Sequence, residues 1–306
     1  MISMSNRHLD GVKKMKLWIR AGLVWTVLVI SVCACTLPQA QTPEDSKTET
    51  KESPSLDKPK SEELSRDPLS KEEIRQVLST YQHQHPKHWG EKTPGVKQRL
   101  DTEEKVIALT FDACGGIQGN GVDQELIRYL EREEIPATLF INGRWIDAHP
   151  SLFRKLAAHP LFEIANHGTE HRPLSVDGRS VYGIRGTANL EEVLDEILVN
   201  HRKISVMTGK PPKFFRSGTA YYDDIAVKAA AELGIQAVNF DILGDAGGTY
   251  NSHQVKQALL HSRPGSIALL HMNRPGSGTS AGVQEAIPIL RKQGYQFVKL
   301  GDYSLR

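Results

Sequence analysis

From about Lys105 onward the chain alternates short β-rich apolar runs with helical patterns, and no other property limits its fold so tightly. The runs are VIALTF, ATLFI, FEIA, KFF, QAVNF, SIALL and QFVKL. Between them, VDQELIRYLERE, SLFRKLAA, NLEEVLDEILVNHRKISVM, DDIAVKAAAEL, SHQVKQALLH and GVQEAIPILRKQ space their apolar residues at helical intervals. Such alternation predicts an α/β fold, a parallel sheet or barrel with about seven strands.

The rest of the chain is organised around that domain. Lys13, Lys14, Lys16 and Arg20 precede AGLVWTVLVISVCA, an apolar stretch short for a membrane span, so residues 1–35 read as an export signal, with Met15 an alternative start. The signal closes on VCAC, which resembles the lipobox of bacterial lipoproteins and implies cleavage before Cys35 and lipid attachment to it; an uncleaved anchor or an ordinary signal peptide is the plainer reading. Residues 36–69 are rich in charged residues, Ser, Thr and Pro and poor in large apolar ones, which predicts a disordered tether. Residues 70–104 hold one helix, with Ser70 and Glu73 spaced as a capping box, and a connector; residues 105–306 form the main domain. The expected location is the bacterial cell envelope, with the protein exported and lipid-anchored.

Charge excludes one class of partner. A formal net charge of +2, with no basic patch interleaved with aromatics, gives no footprint for nucleic acid. Of three cysteines, two lie in the signal, so the domain keeps only Cys114 and has no internal disulfide. A lone cysteine reads as a small buried residue rather than a nucleophile.

Chemistry collects where the apolar runs end. VIALTF ends on Asp112, FEIA passes Asn166 into His167, KFF ends on Arg216, QAVNF on Asp241 and SIALL on His271. α/β folds place their active sites on loops at the carboxyl ends of strands, which would bring these residues to one rim. His167 and His171 are four apart, so on a helical turn both imidazoles project from one face and grip one metal ion. Gly168 follows His167, so the H-E-x-x-H pattern of metalloproteases is absent.

In order, TFDAC, HGTEH, FFRSGTAYYDD, NFDILGD and SIALLH resemble the five motifs of the NodB-type polysaccharide deacetylases, carbohydrate esterase family 4, over roughly Val106 to Leu300. The resemblance implies a distorted, incomplete (β/α) barrel with about seven parallel strands. It implies a metal-dependent hydrolase that removes N-acetyl or similar acyl groups from peptidoglycan or another N-acetylated glycan. His167 and His171 would be metal ligands, Asp112 the base, Arg216 the partner that keeps it ionised, and His271 the general acid. Asp241 or Asp245 would orient His271, and Tyr221 or Tyr222 would offer a backbone N–H to the oxyanion. The divalent metal expected is zinc, with cobalt, nickel or manganese as alternatives.

The chain departs from that pattern at Ala113, where the family carries a second aspartate as metal ligand. Asp112 or Asp123 is then the candidate third ligand, although Asp123 also stands where a helix N-cap is expected. NFDILGD is also longer by one residue than the fourth motif and lacks its tryptophan. Other readings are a glycan-binding protein that has lost catalysis, or a same-fold amidohydrolase or esterase acting on small substrates.

Overall fold

The computed structural model describes residues 69–306. The expected signal, its lipidation site Cys35 and the tether up to Pro68 lie outside the described residues.

In chain order the elements are α1 (Lys71–Tyr81), β1 (Trp89–Gly90), β2 (Val106–Ala113), α2 (Gln124–Arg132), β3 (Ala137–Ile141), α3 (Gly143–Ala148), α4 (Pro150–Ala158), β4 (Phe162–Asn166) and α5 (Leu190–Thr208). They continue as β5 (Phe214–Phe215), β6 (Tyr222–Asp223), α6 (Asp224–Glu232), β7 (Gln236–Ala237), β8 (Ile242–Leu243), α7 (Ser252–Leu260), β9 (Ser266–His271), α8 (Thr279–Lys292) and β10 (Gln296–Val298). Seven strands follow the order β7-β5-β4-β3-β2-β9-β8, and β10 pairs with the first half of β2. Every pairing in this sheet is parallel. It is a curled, open half-barrel, as expected; β7 and β8 are its two free ends.

All seven expected runs supply strands. Ile242–Leu243 is an additional one, two residues long and therefore without a readable period, and α3 is a single short helix capped by Asn142. Ser70 and Glu73 form the predicted capping box.

Alternation along β2 divides two cores. Ile107, Leu109, Phe111 and Ala113 pack with α2, Trp145 and α8 on the helix side, whereas Val106 and Ala108 join Phe140, Phe214 and Leu100 inside the barrel. The connector is part of this packing. Lys97 pairs with Val238 just beyond β7, and Arg99 pairs with Ser266 at the start of β9. The segment thus runs along the opening that the sheet leaves.

Candidate active site

Strand register builds the rim. Asp112 lies opposite His271, and Asn166 lies opposite Phe215, so His167 and Arg216 leave their strands side by side. Arg216 is fully buried and each guanidinium nitrogen donates: Nε to the Val238 carbonyl (3.2 Å), Nη2 to the Asn239 carbonyl (3.1 Å), and Nη1 to Thr110 Oγ1 (3.0 Å) and Asp112 Oδ1 (2.7 Å). Its Cζ sits 4.0 Å from the centre of the Phe140 ring. Burial alone raises a carboxyl's pKa; Arg216, His167 and His271 outweigh it and hold Asp112 below the ordinary carboxylate range.

His167 is buried, and its Nδ1 donates to the Arg216 carbonyl at 2.9 Å. A carbonyl only accepts, so the proton is on Nδ1 and the Nε2 lone pair is left facing Asp112 Oδ2 at 3.5 Å and Cys114 Sγ at 3.8 Å. Burial holds this imidazole below its usual pKa, in the neutral form a ligand needs.

The histidine pair is not on a helical turn. His167 to His171 is a loop that leaves β4 through Gly168 (φ 77°) and bends at His171 itself (φ 63°), because no helical backbone brings two side chains back over a strand end so abruptly. The rings meet edge to face with centroids 4.9 Å apart. Glu196 of α5 holds the loop, accepting from the N–H of Glu170 (2.9 Å) and of Arg172 (3.1 Å). Two glycines make room: a Cβ on Gly168 would lie 2.2 Å from Glu196 Oε1, and one on Gly218 would lie 2.4 Å from the His171 ring.

Cys114, two residues beyond Asp112, groups with both histidines as a candidate ligand set. Its Sγ and one ring nitrogen each of His167 and His171 lie within 4.8 Å of one another. His171 Nε2 is buried and has no hydrogen-bond partner among the described residues. An orphaned buried nitrogen is costly unless something takes its lone pair, and a thiolate with two imidazoles suits zinc or cobalt better than magnesium or calcium. Partial burial raises the thiol, but His171 and His271 outweigh it and bring Cys114 down to about 6. The residues present fit a divalent cation.

His271 closes the other side. Its Nδ1 and backbone N–H bind the two oxygens of buried Asp245 at 2.8 and 2.7 Å, and Thr279 Oγ1 donates to the same carboxylate at 2.8 Å. Burial lowers a histidine's pKa, yet the charge and hydrogen bond of Asp245 outweigh it and raise His271 well above its ordinary value, which favours the protonated ring.

Three expectations are corrected. Asp241 is at the opposite end of the sheet: β7 stops at Ala237, Asp241 opens β8, and its carboxylate takes Ser266 Oγ (3.0 Å) and the Ile267 N–H (2.9 Å). Asp123 is the N-cap of α2, with Oδ1 accepting from the Leu126 N–H at 3.0 Å, and it is outside the Cys114–His167–His171 group. Tyr222 is wholly buried, its backbone paired with Gly90 and its hydroxyl accepting from the Ser217 N–H at 2.9 Å, so it does not face a substrate; Tyr221 stands at the rim. The signal for Cys114 was present: it is two residues from Asp112, and strand alternation puts both on one face.

At the rim of the parallel half-barrel stand a carboxylate held by an arginine, a histidine held by a carboxylate, and a trio of ligand-type side chains. Residues 99–238 match the family model described as polysaccharide deacetylase. Over 211 residues the chain is 26% identical to the peptidoglycan-N-acetylmuramic acid deacetylase of Bacillus subtilis, covering 66% of this chain and 72% of that protein. It is 27% identical to the peptidoglycan-N-acetylglucosamine deacetylase of Bacillus cereus over 224 residues, 69% of this chain and 94% of that one. Its fold is similar to that of a CE4 family pseudoenzyme from Bacillus anthracis (TM-score 0.56, 22% identity, 69% of each chain). The family model spans less than half of the chain, and these relatives are similar to it over about two thirds.

Proposed function

We propose that the protein is a metal-dependent deacetylase that hydrolyses N-acetyl, or similar acyl, groups on a polysaccharide of the bacterial envelope. The observation that carries this reading is the Arg216-held Asp112 and the Asp245-held His271, opposite one another on β2 and β9, with the Cys114–His167–His171 group at the same strand ends. The peptidoglycan deacetylases among the relatives support peptidoglycan as the glycan. Residues 1–35 support export and lipid anchoring at Cys35, from which a tether of about thirty residues reaches on the order of 30 Å.

Cys114, His167 and His171 would hold the cation, which supplies polarisation of the amide carbonyl and acidification of water. Asp112 accepts the proton of the attacking water through Oδ2, since Oδ1 is occupied by Arg216. Arg216 keeps that carboxylate charged and fixes its plane. His271 gives a proton to the departing amine from Nε2, because Nδ1 is held by Asp245. Each proton-transfer role contributes roughly 10²- to 10⁴-fold.

Ala113 favours a second reading, a glycan-binding protein without catalysis. Metal content and acetate release from chitooligosaccharides and from peptidoglycan, measured for the full-length chain, separate the two. The deacetylase reading expects stoichiometric metal and acetate release, with activity lost and metal kept in Asp112→Asn, and both lost in His167→Ala. A parent protein that releases acetate from neither glycan would overturn it.

A further inference from the structure

Behind His271 the hydrogen bonds continue past Asp245 to the start of α8. Asp245 follows β8, and the chain then turns through Ala246 (φ 48°), Gly247 (φ 74°) and Gly248 (φ 75°), three successive residues in the left-handed region. The Asp245 carbonyl closes this turn, accepting from the N–H groups of Thr249 (3.0 Å) and Tyr250 (3.1 Å). The turn fixes the backbone of Asp245 but not the rotation of its carboxylate, whose last torsion has a broad, two-fold preference.

Side-chain and backbone donors set that rotation. Oδ1 accepts from His271 Nδ1 at 2.8 Å, and Oδ2 accepts from the His271 N–H at 2.7 Å and from Thr279 Oγ1 at 2.8 Å. Two of these donors belong to His271 itself, so Thr279 is the one that holds the carboxylate from outside the pair. Thr279 is fully buried and opens α8. Its place is fixed by Gly278, where a Cβ would lie 2.3 Å from the carbonyl carbon of Asn251; α8 therefore begins against the end of the turn that Asp245 starts. A carboxylate only accepts, so the Thr279 hydroxyl proton points to Asp245 and its lone pairs face the other way. Ser277 Oγ donates to them at 3.1 Å. The hydrogen bonds thus run in one direction, from Ser277 to Thr279 to Asp245, and meet His271 donating from the other side.

We propose that Thr279, supported by Ser277, is a positioning residue for the reaction: through Asp245 it fixes the plane of the His271 ring and so directs Nε2 at the mouth, where Asp112 stands on the neighbouring strand end. The reaction part of this inference rests on the deacetylase reading. Thr279 acts only through the carboxylate. A proton donor has to meet the leaving nitrogen within hydrogen-bond reach, and a displacement of about 1 Å costs on the order of 10²-fold in rate. A carboxylate gripped only by the histidine that it orients can turn together with that ring; a buried hydroxyl from another helix prevents it.

The test compares Thr279→Val, Thr279→Ser and Ser277→Ala with the parent in the full-length chain. Valine keeps the volume of threonine and removes the hydroxyl, whereas serine keeps the hydroxyl and removes a methyl group. In Thr279→Val, kcat for acetate release from N-acetylchitopentaose should fall by roughly tenfold to a hundredfold with KM unchanged; Thr279→Ser should recover most of the loss, and Ser277→Ala should lose less than Thr279→Val. The reverse ranking, with serine worse than valine, is that of a packing residue and overturns the proposal. A second readout needs no turnover: in long-range proton–nitrogen NMR spectra, the His271 Nδ1 signal should move in Thr279→Val and keep its parent position in Thr279→Ser. If the parent releases no acetate, the deacetylase reading fails and this signal alone decides; an Nδ1 signal identical in Thr279→Val and the parent overturns the positioning role.

Discussion

Ala113 and Cys114 are adjacent, and they face opposite sides of the sheet. Ala113 is fully buried among helix-side apolar residues, whereas Cys114 shares the mouth side with Asp112. The missing aspartate is therefore not a gap in the mouth. Ala113→Asp should not strengthen metal binding; it places a carboxylate in an apolar layer, at a cost on the order of several kcal/mol, visible as a lower unfolding midpoint. Cys114→Ser should weaken metal affinity more than tenfold in competition with a chelator, and a variant that retains parent affinity would remove Cys114 from the ligand set. The sequence exposed Asp112, His167, His171, Arg216 and His271 because each leaves a recognisable run. It hid Cys114, because a single cysteine has the prior of a core residue, and it hid which aspartate serves His271, because Asp241 and Asp245 differ only in which end of a two-residue strand they occupy. Asp245→Asn removes the charge that raises His271, so the alkaline limb of the kcat/KM profile should move to lower pH. An unmoved limb would mean that His271 is not the acid.

At the scale of elements, α5 carries the loop that presents the histidines. Asn200 donates to the Ile141 carbonyl and to Asn166 Oδ1, both at 2.8 Å, and Glu196 grips the turn beyond. Helices of this length were readable from apolar period and caps alone, as in α5 with Asn189 before it and left-handed Gly209 after it. The two-residue β8 was not: it exists because β9 offers hydrogen bonds in register, a condition that no local pattern encodes, whereas β5 and β7 lie within the expected KFF and QAVNF runs. Burial raises Glu196 from 4.5 to about 7. Below the ordinary value both folded and unfolded chains hold the proton; between that value and about 7 only the folded chain holds it, so stability falls as pH rises through this window and levels off above. Glu196→Gln should remove this part of the pH slope in thermal unfolding. It should also weaken metal binding by roughly tenfold to a hundredfold, as loss of a group behind ligands does. An identical slope in both proteins would contradict the assignment.

At the scale of the whole molecule, the open barrel depends on a segment that precedes its first long strand. The Lys97 N–H donates to the Ala237 carbonyl at 2.9 Å and the Lys97 carbonyl accepts from Asn239 at 2.7 Å, while the Leu100 N–H reaches the Gly265 carbonyl at 2.9 Å. Lys97 to Leu100 thereby links chain beyond one free sheet end to the strand beside the other. Arg216 finds two of its acceptors, the carbonyls of Val238 and Asn239, in the chain that Lys97 pins. The seam therefore supports the base through Arg216, although it touches no substrate. Leu100 is fully buried inside the barrel with Phe140, Phe214 and Ile267, a role that its place in a connector did not announce. Leu100→Ala should destabilise the domain by about 2–5 kcal/mol, measured by denaturant unfolding with an unchanged slope. Because the seam and the site share Arg216, residual activity should fall with temperature in step with unfolding rather than ahead of it. Stability within about 0.5 kcal/mol of the parent would show that the segment lies on the barrel without closing it.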